Sequence, residues 1–152
     1  NSKRQLLGVY DKNLLSTFSQ VAKNLDMKHV LVVHGDDGLD EISVTSETSI
    51  SELKDMQIKE YKISPTDFGL DFGTFEAITA QSSEESLKMV NEAFAGTKSS
   101  IQDMIALNAG AALYIANKVT SINDGVELAF ELMNSGKAAE KLNAYVNASN
   151  NL

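Results

Sequence analysis

Val30-Leu31-Val32-Val33 is the feature that most narrows what this chain can become. Four consecutive aliphatic residues read as a strand buried on both faces, the pattern of a parallel-type sheet covered by helices on each side. The run stops at His34-Gly35-Asp36-Asp37-Gly38-Leu39-Asp40-Glu41, where four carboxylates fall between Asp36 and Glu41.

The pattern around this run divides the chain. Up to about Phe75 apolar residues come as short runs and alternations; from about Ser82 they come at helical spacing, and Pro65 lies in the transition. Asp11 followed by Leu14, Leu15, Phe18, Val21, Ala22 and Leu25 predicts a first helix with one apolar stripe. Ile42-Ser43-Val44-Thr45 alternates, so a half-buried strand is expected there. Two further strands are expected near Ile50–Leu53 and Ile58–Ile63, joined by a hairpin at Lys54-Asp55-Met56. Ser64-Pro65-Thr66-Asp67-Phe68-Gly69 reads as a turn.

Four helices are expected in the second half. Ser82 and Glu85 resemble a capping box, with Leu87, Val90 and Phe94 as the buried stripe and Gly96 as the stop. The segment from about Ile101 to Val119 is apolar almost all round, so it belongs in the centre of the fold. Ser121 and Asp124 cap a third helix through Val126, Phe130 and Met133 to Gly136; a fourth carries Ala139, Leu142 and Tyr145 or Val146 before a fraying tail. The expected fold is therefore α/β, a mixed sheet with helices packed on it, in a single domain over residues 1–152.

Composition removes several function classes. Thirteen Lys and Arg against 21 Asp and Glu give a net charge of −8, which argues against a nucleic-acid or anionic-membrane surface. The absence of cysteine excludes a disulfide scaffold, a thiolate zinc site and a catalytic thiol, and it fits a reducing compartment. No stretch approaches the roughly 20 apolar residues that cross a bilayer, and no signal-like segment opens the chain. The first residue is Asn1, so a processed, tagged or partial sequence is expected.

Chemistry concentrates in the acidic loop. The glycine motifs do not form a dinucleotide fingerprint, and Gly96-Thr97-Lys98-Ser99 lacks the upstream glycine and the Gly-Lys adjacency of a phosphate loop. In an EF-hand alignment Val33 and Val44 would stand where oxygen ligands belong. In open α/β sheets ligands collect beyond the carboxyl ends of strands, which is where Asp36, Asp37, Asp40 and Glu41 follow. Hard carboxylate oxygens suit magnesium, which is commonly held by one or two carboxylates plus substrate phosphates; the alternative reading is a solvated acidic turn. His34, at the strand end, reads as a hydrogen-bonded structural histidine, and His29, at its start, as a surface residue.

At this loop the sequence resembles a known family. Val32-Val33-His34-Gly35-Asp36-Asp37-Gly38-Leu39-Asp40-Glu41-Ile42-Ser43 is similar to the Val-His-Gly-x-Asp-Gly-Leu-Asp-Glu-Ile-Ser stretch of anthranilate phosphoribosyltransferases. Arg4-Gln5 with Gly8-Val9-Tyr10, Pro65-Thr66-Asp67-Phe68-Gly69-Leu70, Asn108-Ala109 with Leu113-Tyr114, and Ser135-Gly136-Lys137-Ala138 through Leu142 resemble other family segments in the same order. Ala80-Gln81-Ser82 stands where the family has Gly-Gly-Asp.

The resemblance implies the large α/β domain of the nucleoside phosphorylase and phosphoribosyltransferase fold, and the carboxyl-terminal portion of it. It implies a Mg2+-dependent, cytoplasmic glycosyltransferase of tryptophan biosynthesis, which moves phosphoribosyl from phosphoribosyl pyrophosphate to anthranilate. Asp40 and Glu41 are then the Mg2+ ligands, while Asp36 and Asp37 carry no family role. The family's phosphate-cradling Gly-Thr-Gly-Gly-Asp loop, its Lys-His-Gly-Asn segment, its arginine-bearing hinge helix and its dimerising helical domain have no counterpart here. The isolated chain is accordingly expected to be inactive, and its sheet to expose an edge that invites association. Two rivals share the architecture: nucleic-acid-binding relatives without the transferase activity, and pyrimidine nucleoside phosphorylases.

Overall fold

The structure, a computed structural model, describes residues 2–151. Four strands form one mixed sheet in the order β1 (Arg4–Gly8), β2 (His29–Gly35), β3 (Thr48–Lys54), β4 (Gln57–Ile63). β1 runs parallel to β2, and the remaining pairs are antiparallel. The parallel pair needs a crossover, and α1 (Leu15–Asn24) supplies it. A short 3-10 turn capped by Asp11 precedes that helix.

Every residue of β2 is buried, as its aliphatic run requires. Val30 and Val32 face one way and pack with Leu53, Leu15 and Ala22 of α1. Leu31 and Val33 face the other way, into a larger core with Ile42, Val44, Ile50, Leu107 and Val126. That second face is covered by α4 (Ser100–Ile115) and α5 (Ile122–Asn134), with α2 (Phe75–Ile78), α3 (Ser83–Phe94) and α6 (Lys137–Ser149) around them. The helix expected to be central is α4, which touches the sheet and packs on α5 through a glycine pair. A Cβ on Gly110 would stand 2.6 Å from the Val126 nitrogen, and one on Gly125 would stand 2.3 Å from the Gly110 carbonyl oxygen.

Some expectations are met closely. The Asp55-Met56 turn joins β3 to β4 with both residues at positive φ, +49° and +61°, as a two-residue primed turn demands. Ser82 caps α3 and Ser121 with Asp124 forms a full capping box on α5. The Ser64–Gly69 turn closes through its own capping box and a left-handed Gly69.

Three expectations need correction, and one strand was not foreseen. Ile42–Thr45 is not a strand: Ile42 and Val44 are buried, but the backbone of this stretch bonds largely to side chains and not to a neighbouring strand. Alternation reports alternate burial, and it does so with or without a ladder. His29 is not a surface residue but 1% exposed, with Nε2 2.7 Å from Glu52 Oε1. Leu87 is 57% exposed, because α3 lies at the periphery and buries fully only Ala93. Arg4–Gly8, which carries no strand pattern of its own beyond two leucines, is β1.

Candidate functional site

The acidic loop leaves the carboxyl end of β2 and folds back on itself. The Gly35 amide donates to the Leu39 carbonyl at 2.8 Å, the Gly38 amide to the Gly35 carbonyl at 2.9 Å, and Gly38 adopts φ +97°. Its four carboxylates then divide into two pairs with different fates.

Asp36 and Asp37 are consumed by the fold. Asp36 accepts from Lys62 Nζ at 2.6 Å and from Ser49 Oγ at 3.2 Å, with Lys12 Nζ 3.5 Å away. The hydrogen bond from Lys62 holds its carboxyl below the usual range. Asp37 accepts from the Ser43 and Thr45 hydroxyls and from the Leu39 amide. Partial burial pushes its carboxyl up, but those donors outweigh it and the net position is low. This pair fastens the loop to β3, β4 and the stretch that follows it.

Asp40 and Glu41 are left over. Both are exposed, and neither side chain has a hydrogen-bond or ion-pair partner among the described residues. The Glu41 carboxyl is pushed up, first by partial desolvation and then by the Asp40 charge beside it. Two adjacent carboxylates without a counter-charge among the described residues are a donor set that a divalent cation relieves. Among the described residues no group of three or more His, Asp or Glu could hold a metal alone. A cation here would have to complete its shell with water and with oxygens of a bound substrate, the habit of magnesium.

The pair is gripped from two sides. Gly8, at the end of β1, abuts the Asp40 backbone so closely that a Cβ there would fall 1.5 Å from the Asp40 carbonyl oxygen. Asn108 of α4 accepts from the Ile42 amide at 3.0 Å and donates to the Ile42 carbonyl at 2.8 Å. Ser43 N donates to Thr48 Oγ1 at 2.9 Å, and Gly73 N to the Val44 carbonyl at 2.9 Å. His34 plays the structural part expected of it: it is 9% exposed, with Nδ1 2.8 Å from the Val9 carbonyl.

Sequence reasoning assigned no role to Gly8 or Asn108, although both fall in the family-like segments. The open rim that carries Asp40 and Glu41 is also distinct from a cavity of about 730 Å3 lined by Arg4, His29, Lys54 and Tyr114, at the opposite end of the strands.

The chain matches the model of the "Glycosyl transferase family, a/b domain" over residues 1–139. It is 41% identical over 145 residues to the anthranilate phosphoribosyltransferase of Vesicomyosocius okutanii, covering 95% of this chain and 43% of that protein. It is 43% identical over 145 residues to that of Halorhodospira halophila, again covering 95% of this chain and 42% of the other. Among solved structures, the anthranilate phosphoribosyltransferase of Thermus thermophilus superposes with a TM-score of 0.83 at 32% identity, covering 92% of this chain and 41% of that one. The Saccharomyces cerevisiae enzyme in complex with PRPP and Mg has the same fold, with a TM-score of 0.85 at 22% identity, covering 97% of this chain and 43% of the other. The chain thus spans less than half the length of the relatives it matches. On the strength of the family match across 139 of its 152 residues, this chain belongs to the glycosyl transferase family, of which it carries the α/β domain.

Proposed function

We propose that this chain is the carboxyl-terminal part of an anthranilate phosphoribosyltransferase, with Asp40 and Glu41 as ligands of the Mg2+ that accompanies phosphoribosyl pyrophosphate. It constitutes one domain of a cytoplasmic enzyme of tryptophan biosynthesis, and the remainder supplies the phosphate loop, the anthranilate contacts and a dimerising helical domain. The observation that carries the reading is the division of the acidic loop: Asp36 and Asp37 are occupied by Lys62, Ser43 and Thr45, while Asp40 and Glu41 share their side-chain oxygens with no other described residue. The Mg2+ and PRPP present in the structurally similar yeast enzyme support the choice of cation and donor substrate.

In such a reaction negative charge accumulates on the departing pyrophosphate as the ribose C–O bond breaks. A divalent cation on those oxygens supplies Lewis-acid stabilisation of that charge. This chain contributes two carboxylates beyond the carboxyl end of a fully buried strand, a loop whose other acids are tied down, and, among the described residues, no basic group on Asp40 or Glu41 to compete for them. The phosphate and anthranilate contacts lie outside this contribution, so the isolated chain is expected not to turn over. Neither rival draws support: the charge of −8 opposes nucleic acid, and the curated relatives quoted above carry the transferase name.

A chimera tests the proposal. This chain replaces the matching segment of the Vesicomyosocius okutanii relative, and formation of phosphoribosyl anthranilate is followed with and without Mg2+. Mg2+-dependent transfer that is lost in Asp40→Asn with Glu41→Gln is expected. Transfer indifferent to both substitutions would refute the metal assignment, and robust turnover by the chain alone would refute its incompleteness.

A further inference from the structure

We propose that Asn108, 66 residues beyond Ile42 in sequence, is the positioning residue that fixes the backbone of the Asp40-Glu41 pair and so presets its grip on a divalent cation. The inference rests on the metal reading of those two acids and goes beyond it, because nothing in that reading assigns a role to α4.

The geometry is specific to the pair. The Ile42 amide that Asn108 Oδ1 accepts belongs to the planar peptide unit linking Glu41 to Ile42. The Asp40 carbonyl that Gly8 abuts belongs to the unit linking Asp40 to Glu41. Both peptide planes flanking Glu41 are therefore held, one by a two-pronged carboxamide and one by steric contact with the end of β1. Asn108 is itself locked, since Nδ2 also donates to the Met104 carbonyl one turn earlier at 3.0 Å. With its donor and acceptor both committed to Ile42, the carboxamide replaces the neighbouring strand that Ile42 lacks.

Asparagine is a poor residue for the middle of a helix, because its side chain competes for backbone groups. A sequence that places one in the middle of its most central helix breaks a local preference, and such breaks concentrate where function is served. A hydrophobic residue at 108 would keep the helix and the core but release the segment that carries the acids. Outer partners of metal ligands commonly contribute roughly 10–100-fold to affinity; acting through one peptide unit, Asn108 belongs at the low end.

The test uses the whole 152-residue chain and Mn2+ alone as probe. Paramagnetic broadening of the Glu41 and Ile42 amide resonances is titrated, and thermal unfolding is recorded for the same samples. Asn108→Ala, Asn108→Asp and a control in the α4–α5 core, Val126→Ala, are compared with Asp40→Asn and Glu41→Gln. The expected result is a midpoint raised about tenfold in Asn108→Ala, unchanged in Val126→Ala even where that variant melts earlier, and lost in the Asp40 and Glu41 variants. Asn108→Asp keeps the acceptor for the Ile42 amide and sets a second acceptor against the Ile42 carbonyl, so it reads the same effect if the alanine variant does not fold. An unchanged midpoint in the Asn108 variants, with loss in the acid variants, overturns the positioning role and leaves the metal reading standing. Unchanged broadening in the acid variants overturns both.

Discussion

The Tyr114 hydroxyl of α4 donates to Glu52 of β3 at 2.9 Å across 62 residues of sequence. Glu52, 8% exposed, also accepts from the Tyr61 hydroxyl at 2.9 Å and pairs with His29 Nε2 at 2.7 Å, so one carboxylate joins three strands to the central helix. Lys54 completes the cluster, donating to the Tyr114 hydroxyl at 3.0 Å. Removing the carboxylate strands three donors, of which His29 is buried and Tyr61 and Tyr114 are half-buried. Glu52→Ala is expected to cost about 3 kcal/mol or more, and Tyr114→Phe about 1–2 kcal/mol. Thermal unfolding checks both, at ~2–4 °C per kcal/mol for a chain of this size.

The same carboxylate sets an acid limit. Burial pushes Glu52 up, but the hydrogen bonds from His29, Tyr114 and Tyr61 outweigh it, and its folded value lies below the ordinary 4.5. A group lowered by folding contributes stability that is complete above its unfolded value and lost as pH falls through the folded one. Denaturant melts should therefore show stability declining below about pH 4.5, and Glu52→Gln should flatten the Glu52 share of that decline. An identical acid slope in the variant would remove Glu52 from the account.

Gly110 offers a case in which helix propensity and packing oppose each other. Alanine is the better helix former by roughly 1 kcal/mol, yet its methyl would meet the Val126 backbone nitrogen at 2.6 Å and the Gly125 carbonyl carbon at 2.9 Å. Neither is the flexible tip of a side chain, so α4 and α5 must separate, at a cost of about 1–3 kcal/mol. Gly110→Ala is expected to lower the denaturation midpoint; a rise would mean that the helix pair yields more easily than its contact implies.

The two halves of the acidic loop should respond in opposite ways. Asp37→Ala removes the acceptor of two hydroxyls and one amide and is expected to destabilise by about 1–2 kcal/mol. Asp40→Asn relieves a like-charge neighbour and is expected to leave unfolding unchanged or slightly delayed. Differential scanning calorimetry on the pair separates an acid that builds the loop from an acid the loop displays.

The outer edge of β1 pairs with no strand among the described residues, and α1 with the residue that ends it, packed on β2 and β3, exposes Phe18, Val21 and Leu25 at 39%, 49% and 63%. An open edge invites another strand, and exposed apolar side chains elsewhere on the surface add to the tendency to associate. Sedimentation equilibrium is expected to show association rising with concentration. A single monomeric species across the range would contradict it.

What was legible in the sequence followed periodicity and caps. Val30–Val33, the hairpin at Asp55-Met56 and the capped helices each carry their cause within a few residues. The errors arose where the cause lies far away. His29 is buried because Glu52 and Tyr114 come to meet it, and Ile42 needs no strand partner because Asn108 serves it. The acids of the site were visible as a cluster, but which of them were free depended on Lys62, Ser43 and Thr45 reaching the others.

Among the described residues, the non-glycine positions with left-handed backbone are Asp26, Asp55, Met56 and Asn117, and all four border the cavity at the end of the strands remote from Asp40. Conformational tension in this scaffold thus gathers at one pole, and the acidic loop stands at the other. Selection for heat resistance can therefore work on the first, by introducing glycine at Met56 for instance, without disturbing the loop that displays Asp40 and Glu41 at the second.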